Sequence, residues 1–264
     1  VSTLGLLFIL LIMIQSKEFS TPCVQLNLGK RIIAANTLHK ELKTNQICLL
    51  QEPVVRNNSI SNVPKSHKPI VPYTKDKARV ALLLPKDLSR VSMVLGNFSS
   101  QDCVVVRSKL KNNVTLLLAS IYMDKLKPIP SGLLNRLSEY AEKERMPLIA
   151  GVDSNAHHVA WGHTNCDTRG RELLAELNSN NLVLCNTGNA PTFVGKLGHS
   201  CIDITITNPL GANLIRNWEV TQGKSLSDHE AIRFNLALDS QVSFATRSTS
   251  KCDWQLATRL ATLL

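Results

Sequence analysis

A carboxylate and an amide follow an apolar run near the middle of the chain. Residues 146–150 predict a short buried strand, and Asp153 and Asn155 come soon after it. Because they are two residues apart, both side chains would lie on one side of an extended chain. A carboxylate and an amide held side by side suit proton transfer and the orientation of a bound oxyanion. The same residue types also favour a polar turn, so the pair alone leaves both interpretations open.

Two further polar side chains end apolar runs. Glu52 follows the predicted strand 47–50, and Pro53 ends that strand abruptly. A glutamate held at a strand tip is well placed to bind a hard cation, although an exposed loop carboxylate would fit the same pattern. Tyr122 closes the predicted strand 114–122 and places a phenol at another strand tip.

An aspartate and a histidine form a second candidate pair. In residues 202–207 isoleucines alternate with Asp203 and two threonines, as expected of a strand. Aspartate is disfavoured in strands, so Asp203 needs a cationic or imidazole partner. His229, which follows Ser227 and Asp228, is available downstream. An aspartate that fixes the tautomer of this imidazole would leave its other nitrogen free to act on a phosphate or a water molecule.

Alternating strands and helices must hold these side chains in place. The spacing of apolar residues predicts helices over 32–42, 131–143 and 169–178. Apolar or alternating runs predict strands at 24–29, 47–50, 79–85, 91–98, 103–109, 114–122, 146–150, 182–185, 191–194, 200–207 and 231–234. In this pattern the polar residues at strand ends converge at one edge of a two-sheet core, and they are Asn27, Glu52, Tyr122, Asp153, Asn155, Asp203, Asp228 and His229.

Length and composition fit one basic globular domain. With 264 residues, 44% of them hydrophobic, the chain can bury one large core without a second domain. The formal net charge of +10 favours a polyanionic partner, either nucleic acid or an acidic membrane surface. Eleven basic and three acidic residues lie between Arg56 and Lys111, which predicts a phosphate-tracking face in this segment.

The seven cysteines predict reduced, buried thiols. Their number is odd, no two have Cys-x-x-Cys spacing and most lie in apolar runs, which is typical of an intracellular protein. His157, His158, His163 and Cys166 could be interpreted as a zinc cluster. Their spacing lacks the paired ligands of a structural zinc site, so this interpretation is secondary.

Residues 1–22 form an apolar N-terminal segment that differs from the rest of the chain. The apolar run from Leu4 to Ile14 is too short to span a bilayer, and no basic residue precedes it. Three interpretations are open: a secretory signal, a peripheral apolar segment, or translated sequence that flanks a fragment. The free cysteines favour the third, so we expect neither a working signal peptide nor stable membrane association.

The motifs taken together resemble a known family. They are Gly151-x-Asp-x-Asn-Ala-His-His-x-x-Trp-Gly162, Leu49-Leu50-Gln51-Glu52-Pro53, Thr168-Arg169-Gly170, Ser200-x-Ile-Asp203 and Leu226-Ser227-Asp228-His229. This combination resembles the endonuclease/exonuclease/phosphatase superfamily, which has the DNase I-like fold. It is most similar to the endonuclease domain of non-LTR retrotransposons, and within those to the R1 and jockey-like elements of arthropods. The resemblance covers roughly residues 23–240.

This resemblance implies a fold and a domain organisation. The fold would be α/β, a four-layer α/β sandwich with two central mixed β-sheets flanked by helices. Residues 1–22 would lie outside the core, residues 23–240 would form the domain, and residues 241–264 would begin a linker to a missing downstream region. That region would be the reverse transcriptase of the parent polyprotein.

The resemblance also implies an activity. The reaction would be Mg²⁺-dependent hydrolysis of a phosphodiester in double-stranded DNA, with Mn²⁺ as a possible substitute. The product would carry a 3′-hydroxyl that primes reverse transcription, and the protein would act in the nucleus on chromosomal DNA. A phosphomonoesterase or lipid phosphatase of the same superfamily is the close alternative, and a catalytically dead nucleic-acid-binding relic is the distant one.

The resemblance assigns roles residue by residue. The metal would be held by Glu52 and Asn27, with Asp228 supporting the metal or the histidine. Asp153 would position or deprotonate the attacking water, and Asn155 would support that water and the phosphate. His229, oriented by Asp203, would stabilise the charge that develops on the phosphate. Which group acts as the base stays open; the further phosphate and DNA contacts would be Tyr122, Thr192, Ser227, Arg79, Lys75 and Lys77.

Overall fold

The computed structural model describes residues 20–237, except 58, 61, 75, 111, 112 and 197. The predictions for residues 1–19, for 238–264 and for Lys75 therefore lie outside the described residues. Within the described part, two six-stranded sheets pack face to face and helices cover their outer sides. The predicted four-layer α/β sandwich is confirmed.

The first sheet contains both termini of the described chain. Its strands, in chain order, are β1 (Ser20–Asn27), β2 (Ile47–Gln51), β5 (His67–Ile70), β6 (Val80–Pro85), β15 (Ile215–Thr221) and β16 (Ala231–Ala237). In space they follow the order β15-β16-β1-β2-β6-β5. The predicted boundary at residue 23 is too late, because β1 begins at Ser20 and pairs there with Ala237.

The second sheet holds the middle of the chain. Its strands are β7 (Ser92–Val94), β8 (Cys103–Lys109), β9 (Thr115–Tyr122), β10 (Leu148–Asp153), β11 (Val183–Leu184) and β14 (Asp203–Thr207), and their spatial order is β11-β14-β10-β9-β8-β7. Two small hairpins complete the strands: β3 (Val55–Arg56) with β4 (Ser59–Ile60), and β12 (Phe193–Gly195) with β13 (Gly198–Ser200).

Five helices accompany the sheets: α1 (Ile32–Glu41), α2 (Lys86–Arg90), α3 (Ser131–Lys143), α4 (Thr168–Ser179) and α5 (Pro209–Ala212). Helix α1 packs Leu38 against Val24 and Leu50 on the outer side of the first sheet. Helices α3 and α4 pack leucines against the outer side of the second sheet. Because each sheet is covered on both faces, its central strands contain continuous apolar runs, such as residues 47–50 of β2.

Several strands differ from their sequence predictions: β5 and β15 were not predicted, and the predicted strand 200–207 is divided between β13 and β14. The predicted strand 91–98 is the short strand β7 followed by a 3₁₀ turn, Gly96–Phe98, because Gly96-Asn97 favours a turn. The strand predicted at residues 146–150 is β10, which extends to Asp153. Asp153 is therefore part of the sheet rather than of the loop that follows it.

Strand directions bring the predicted polar residues to one end of the sandwich, which we call the site edge. β1 and β2 are parallel, so Asn27 ends its strand beside Gln51. β9 and β10 are also parallel, so Tyr122 ends beside Asp153. Asp153 in turn pairs with Asp203 at the start of the antiparallel strand β14. The site edge therefore joins side chains from both sheets.

Basic residues of the segment 56–111 lie at both ends of the sandwich. Lys77 and Arg79 precede β6 at the site edge, where Val80 pairs with Gln51. Lys86 follows the other end of β6, and a six-residue strand is about 20 Å long. Strand reversal therefore places described basic residues of this segment at opposite ends of the sandwich, and the phosphate-tracking face stays a prediction.

The predicted burial of the cysteines holds for most of those described. Cys23, Cys48, Cys103 and Cys201 are buried free thiols, whereas Cys166 is exposed. Burial raises the pKa of Cys103 to about 12, which keeps this thiol protonated and unreactive. Of the helices in residues 20–237, none is long and apolar enough to cross a membrane.

Candidate active site

Two carboxylates and an imidazole meet at the centre of the site edge. Asp153, Asp203 and His229 are all buried, and one ligand atom from each lies within 4.8 Å of the others. The Nδ1 atom of His229 lies 2.8 Å from Oδ2 of Asp203. Asp203 thus has the imidazole partner that its position in a strand predicted. His229 enters from the first sheet, so this hydrogen bond joins the two sheets.

The charges of this group shift the pKa values of its members. Burial would lower the pKa of His229, but the charge and hydrogen bond of Asp203, with the charges of Asp153 and Glu52, raise it to about 9. Burial and the charge of Asp203 raise the pKa of Asp153 to about 7, although His229 and Asn27 oppose the shift. At neutral pH the imidazole is therefore protonated, while Asp153 is close to its titration point.

Two asparagines hold the carboxylate of Asp153. The Nδ2 atom of Asn27 donates to Oδ2 of Asp153 at 2.6 Å, and the backbone N–H of Asn155 donates to Oδ1 at 3.2 Å. The prediction that Asn155 continues an extended chain is wrong, because its φ is +46°. Asparagine adopts this left-handed conformation more readily than most residues. The resulting turn sends the Asn155 side chain to the carbonyl of Met123, at 3.1 Å.

Glu52 and Tyr122 flank the buried group. The carboxylate of Glu52 lies 2.9 Å from Nζ of Lys30 and is 19% exposed. Burial, followed by the charges of Glu52 and Asp153, raises the pKa of the Tyr122 phenol to about 12. Glu52 acts electrostatically on both His229 and Tyr122, so its charge faces the same site.

Thr192 and Ser227 are positioning residues. Thr192 is 1% exposed, and its hydroxyl oxygen accepts from the backbone N–H groups of Ile202 and Asp203 at 3.0 and 2.9 Å. This hydroxyl is therefore engaged with the backbone of Asp203. The Ser227 hydroxyl donates to the carbonyl of Asn27 at 2.8 Å. This bond ties the loop before β16 to β1, and the phosphate contacts expected of Thr192 and Ser227 stay predictions.

Arg79 is paired with two carboxylates. Its guanidinium donates to both carboxylate oxygens of Asp102, at 2.5 and 2.6 Å, and to Asp124 at 2.8 Å. It also stacks 4.7 Å from the ring centre of Tyr122. Two acids therefore neutralise this guanidinium, which also packs against the phenol of Tyr122, and the DNA contact of Arg79 stays a prediction. Lys77, by contrast, is exposed at the site edge.

Asp228 is paired with an arginine at the surface. Its Oδ2 atom lies 2.6 Å from Arg31, and its side chain is 47% exposed. The support that Asp228 was expected to give the metal or the histidine stays a prediction. Asp203 orients the imidazole.

Sequence reasoning gave no role to Arg169, near the start of α4. Its guanidinium donates to the carbonyls of Ser154 at 3.1 Å, Lys127 at 2.6 Å and Asp124 at 3.1 Å. These carbonyls belong to the loops that follow β9 and β10, so Arg169 holds both loops at the site edge. The motif Thr168-Arg169-Gly170 was the available signal, but a motif does not say which groups an arginine will meet.

The zinc interpretation is not supported, because each imidazole of the local group has its own partner. Nδ1 of His157 lies 2.7 Å from Oδ2 of Asp167, and Nδ1 of His158 accepts from the backbone N–H of Ala160. Nδ1 of His163 accepts from the backbone N–H of Cys201. In residues 20–237 and their described side chains, the group that could hold a metal is Asp153, Asp203 and His229.

The donor chemistry of the site edge fits a hard divalent cation. Oδ1 of Asp203 is buried without a hydrogen-bond partner, and burial together with the charge of Asp203 raises the pKa of Asp153. The carboxylate of Glu52 is a third negative charge that acts on His229. Carboxylate and amide oxygens are the ligands that Mg²⁺ and Mn²⁺ prefer, so within the group of Asp153, Asp203 and His229 the carboxylates, rather than the protonated imidazole, are suited to such an ion.

Comparisons with known proteins agree with this geometry. A family model described as endonuclease-reverse transcriptase matches residues 116–233. The retrovirus-related Pol polyprotein from the type-1 retrotransposable element R1 of Bradysia coprophila is 30% identical over 118 residues. That alignment covers 41% of this chain and 12% of the polyprotein, so the chain corresponds to a small part of its curated relative.

Solved structures show the same fold. The endonuclease domain of TRAS1, a telomere-specific non-LTR retrotransposon, superposes with a TM-score of 0.71 and 26% identity, covering 83% of this chain and 99% of that one. The AP endonuclease LMAP from Leishmania major superposes with a TM-score of 0.68 and 10% identity, over 83% and 88% of the two chains.

The two-sheet sandwich has the DNase I-like fold, and with its buried Asp153–Asp203–His229 group the chain is similar to nucleases of the endonuclease/exonuclease/phosphatase superfamily. Within that superfamily, the predicted resemblance to the endonuclease domains of non-LTR retrotransposons is confirmed.

Proposed function

We propose that this chain is the DNA endonuclease domain of a non-LTR retrotransposon polyprotein, and that it hydrolyses a phosphodiester of double-stranded DNA. The observation that carries the proposal is the buried group of Asp153, Asp203 and His229 at the edge of a DNase I-like sandwich. The likeness to the endonuclease domain of TRAS1 over 99% of that chain supports it.

His229 is suited to stabilise negative charge on the scissile phosphate. Its Nδ1–H donates to Asp203, and the pKa of about 9 keeps the second nitrogen protonated at neutral pH. The Nε2–H can therefore donate to a non-bridging phosphate oxygen as charge develops there. Because the ring already carries its proton, it is a poor general base.

Asp153 is the better proton acceptor. Its pKa of about 7 lies near the operating pH, which is where a general base is most effective. The hydrogen bonds from Asn27 and from the backbone of Asn155 fix the direction of both carboxylate oxygens. Asp153 would thus take the proton of the attacking water, while the amide of Asn155 and the phenol of Tyr122 would contact the phosphate.

Glu52 and Asn27 are the residues we propose to hold Mg²⁺ or Mn²⁺, with the carboxylate of Asp153 beside them. A bound ion would supply Lewis-acid stabilisation of the phosphate charge. Lys30, which lies 2.9 Å from Glu52, would then have to release this carboxylate.

The basic composition of the chain favours a long polyanion over a small phosphomonoester. We further propose that the reaction leaves a 3′-hydroxyl to prime reverse transcription, that the parent polyprotein carries the reverse transcriptase, and that cleavage takes place on nuclear DNA.

Nicking of supercoiled plasmid by the purified chain tests the proposed function. We expect nicking with Mg²⁺ or Mn²⁺, its loss in EDTA, and 3′-hydroxyl ends that DNA polymerase extends. Inositol phosphates and p-nitrophenyl phosphate serve as parallel substrates. Turnover of these phosphomonoesters without nicking would favour the phosphatase alternative, and DNA binding without any turnover would favour the inactive relic.

A further inference from the structure

Among the side chains buried between the two sheets are four polar ones that make hydrogen bonds across this layer. They are Gln25 in β1, Gln51 in β2, Ser120 in β9 and Thr205 in β14, and none is more than 1% exposed. Around them the sheets meet through apolar residues such as Leu49, Leu82 and Leu118. A buried amide in such a layer is costly unless it is hydrogen-bonded, so its partners indicate its use.

Gln25 connects the first sheet to the strands that carry both buried aspartates. Its Nε2 atom donates to the carbonyls of Val152 and Ile204, each at 3.2 Å. Its Oε1 atom accepts from the hydroxyl of Thr205 at 2.9 Å. Val152 directly precedes Asp153, and Ile204 directly follows Asp203. The Gln25 side chain therefore forms a hydrogen bond with the backbone next to each of the two aspartates.

Gln51 makes a second connection beside Glu52. Its Nε2 atom donates to the Ser120 hydroxyl and to the carbonyl of Gly151, both at 3.0 Å. The Ser120 hydroxyl in turn donates to the carbonyl of Leu50 at 2.7 Å. Oε1 of Gln51 is buried without a partner, a cost that stability alone does not explain.

Gly151 leaves the space that Gln25 needs. A Cβ atom at position 151 would lie 2.9 Å from Cδ of Gln25 and 3.0 Å from its Oε1. β10 therefore carries a glycine opposite the amide, and the close approach of backbone and side chain requires it.

The site edge needs such connections because it is divided between the sheets. Asn27, Glu52 and His229 belong to the first sheet or the loops next to it, whereas Asp153 and Asp203 belong to the second. Apolar packing holds the sheets together but is non-directional, so it only weakly restricts the position of one sheet relative to the other. Hydrogen bonds depend on distance and angle, so they restrict this relative position to a narrow range.

We propose that Gln25 and Gln51 are positioning residues that set the two halves of the site against each other. Their effect on catalysis rests on the proposed nuclease function, whereas their effect on the Asp203–His229 contact does not. Gln25 acts next to the aspartates, and Gln51 acts next to Glu52. Neither amide contacts DNA or metal in this assignment.

Methionine replacements test the proposal in the full chain. Gln25→Met and Gln51→Met keep the side-chain length but remove the directional bonds. Leu118→Ala is the matched control, because it opens a cavity in the same layer and lowers stability without touching the amide connections. Each protein is compared for thermal midpoint, nicking rate, the Mg²⁺ concentration that gives half-maximal nicking, and the NMR signals of the His229 ring.

We expect Gln25→Met and Gln51→Met to lower kcat for nicking by roughly 10–100-fold, the range for groups that orient ligands, and to raise the half-maximal Mg²⁺ concentration. Both variants should shift the Nδ1–H signal of His229, which reports the bond to Asp203 across the sheets. Leu118→Ala should lower the thermal midpoint at least as much, yet keep the nicking rate and the His229 signal.

Two results would overturn the proposal. One is an unshifted His229 signal in both methionine variants, which needs neither metal nor activity to be seen. The other is a loss of nicking in Leu118→Ala that matches its loss of stability, since stability alone would then explain the effect. If the wild-type chain does not nick DNA, the proposed function fails, and the His229 signal still decides the positioning proposal.

Discussion

The carboxylate of Asp153 is almost fully buried and lies between a second carboxylate and an imidazolium. A protein gains no stability from burying like charges together, so this arrangement is one that a reaction requires rather than one that folding favours. Glu52 is also unfavourable for folding, because its φ of +45° costs free energy in a residue other than glycine.

Replacement of Asp153 tests its role at the residue scale. Asp153→Asn removes the proton acceptor and keeps the volume, so we expect nicking to fall by roughly two to four orders of magnitude. Asp228→Asn is the matched control, because Asp228 is exposed and paired with Arg31. Rates are measured on supercoiled plasmid at saturating Mg²⁺. Equal rates for Asp153→Asn and wild type would remove Asp153 from the mechanism.

The pKa of His229 predicts a pH dependence of stability. The folded-state pKa of about 9 lies above the ordinary value of 6.5, so the fold favours the protonated ring. This stabilisation is complete below pH 6.5 and is lost as the pH rises through about 9. In EDTA, we expect wild type to lose on the order of 2 kcal/mol of unfolding free energy across this window relative to His229→Gln. Urea unfolding at a series of pH values measures it; parallel pH profiles would contradict the assignment.

At the scale of elements, the site edge consists of strand ends and the loops that follow them. Such loops need supports, because short polar segments at a sheet edge have few apolar contacts of their own. Helix α4 supplies one support through Arg169, and the loop before β16 supplies another through the Ser227 hydroxyl.

The contacts of Arg169 predict a loss of activity without a loss of fold. Arg169→Gln removes the donors to the loops after β9 and β10, so we expect kcat to fall by roughly 10–100-fold. Arg171→Gln on the same helix is the control, because Arg171 is exposed and contacts Cys166 and Thr168 within its own segment. Circular dichroism checks the fold. A larger loss for Arg171→Gln than for Arg169→Gln would contradict the proposed support.

At the scale of the whole molecule, net charge and charge placement are different quantities. The chain carries a formal charge of +10, but its basic segment 56–111 is split between the two ends of the sandwich. A DNA duplex that binds at the site edge, as proposed, would meet the basic residues at that end, and only those contacts would release counterions.

This division predicts how salt affects DNA binding. Lys77→Gln at the site edge should weaken binding and reduce the slope of log K against log salt by about one. Lys86→Gln, at the opposite end and also exposed, should leave the slope unchanged. Binding of a duplex in EDTA, where cleavage is absent, measures both. An unchanged slope for Lys77→Gln together with a reduced slope for Lys86→Gln would place the DNA on the other end.

Local pattern alone predicted a two-sheet core and the residues at strand ends, whereas the four layers were implied by the resemblance to a known family. Apolar runs and their spacing identified the central strands and the main helices, because a strand that is buried on both faces consists mostly of apolar residues. The motifs around Glu52, Asp153, Asp203 and His229 predicted the family and the group that meets at the site edge.

Only the tertiary structure decided which polar side chains are available at the site edge and which form hydrogen bonds that hold strands and loops in place. Thr192 bonds to the backbone of Asp203, Arg79 pairs with Asp102, and Gln25 reaches Ile204 across the two sheets. These partners lie between 11 and 179 residues apart in the chain. A sequence pattern records the burial and period of each segment, but the partner of a polar side chain depends on how distant segments pack.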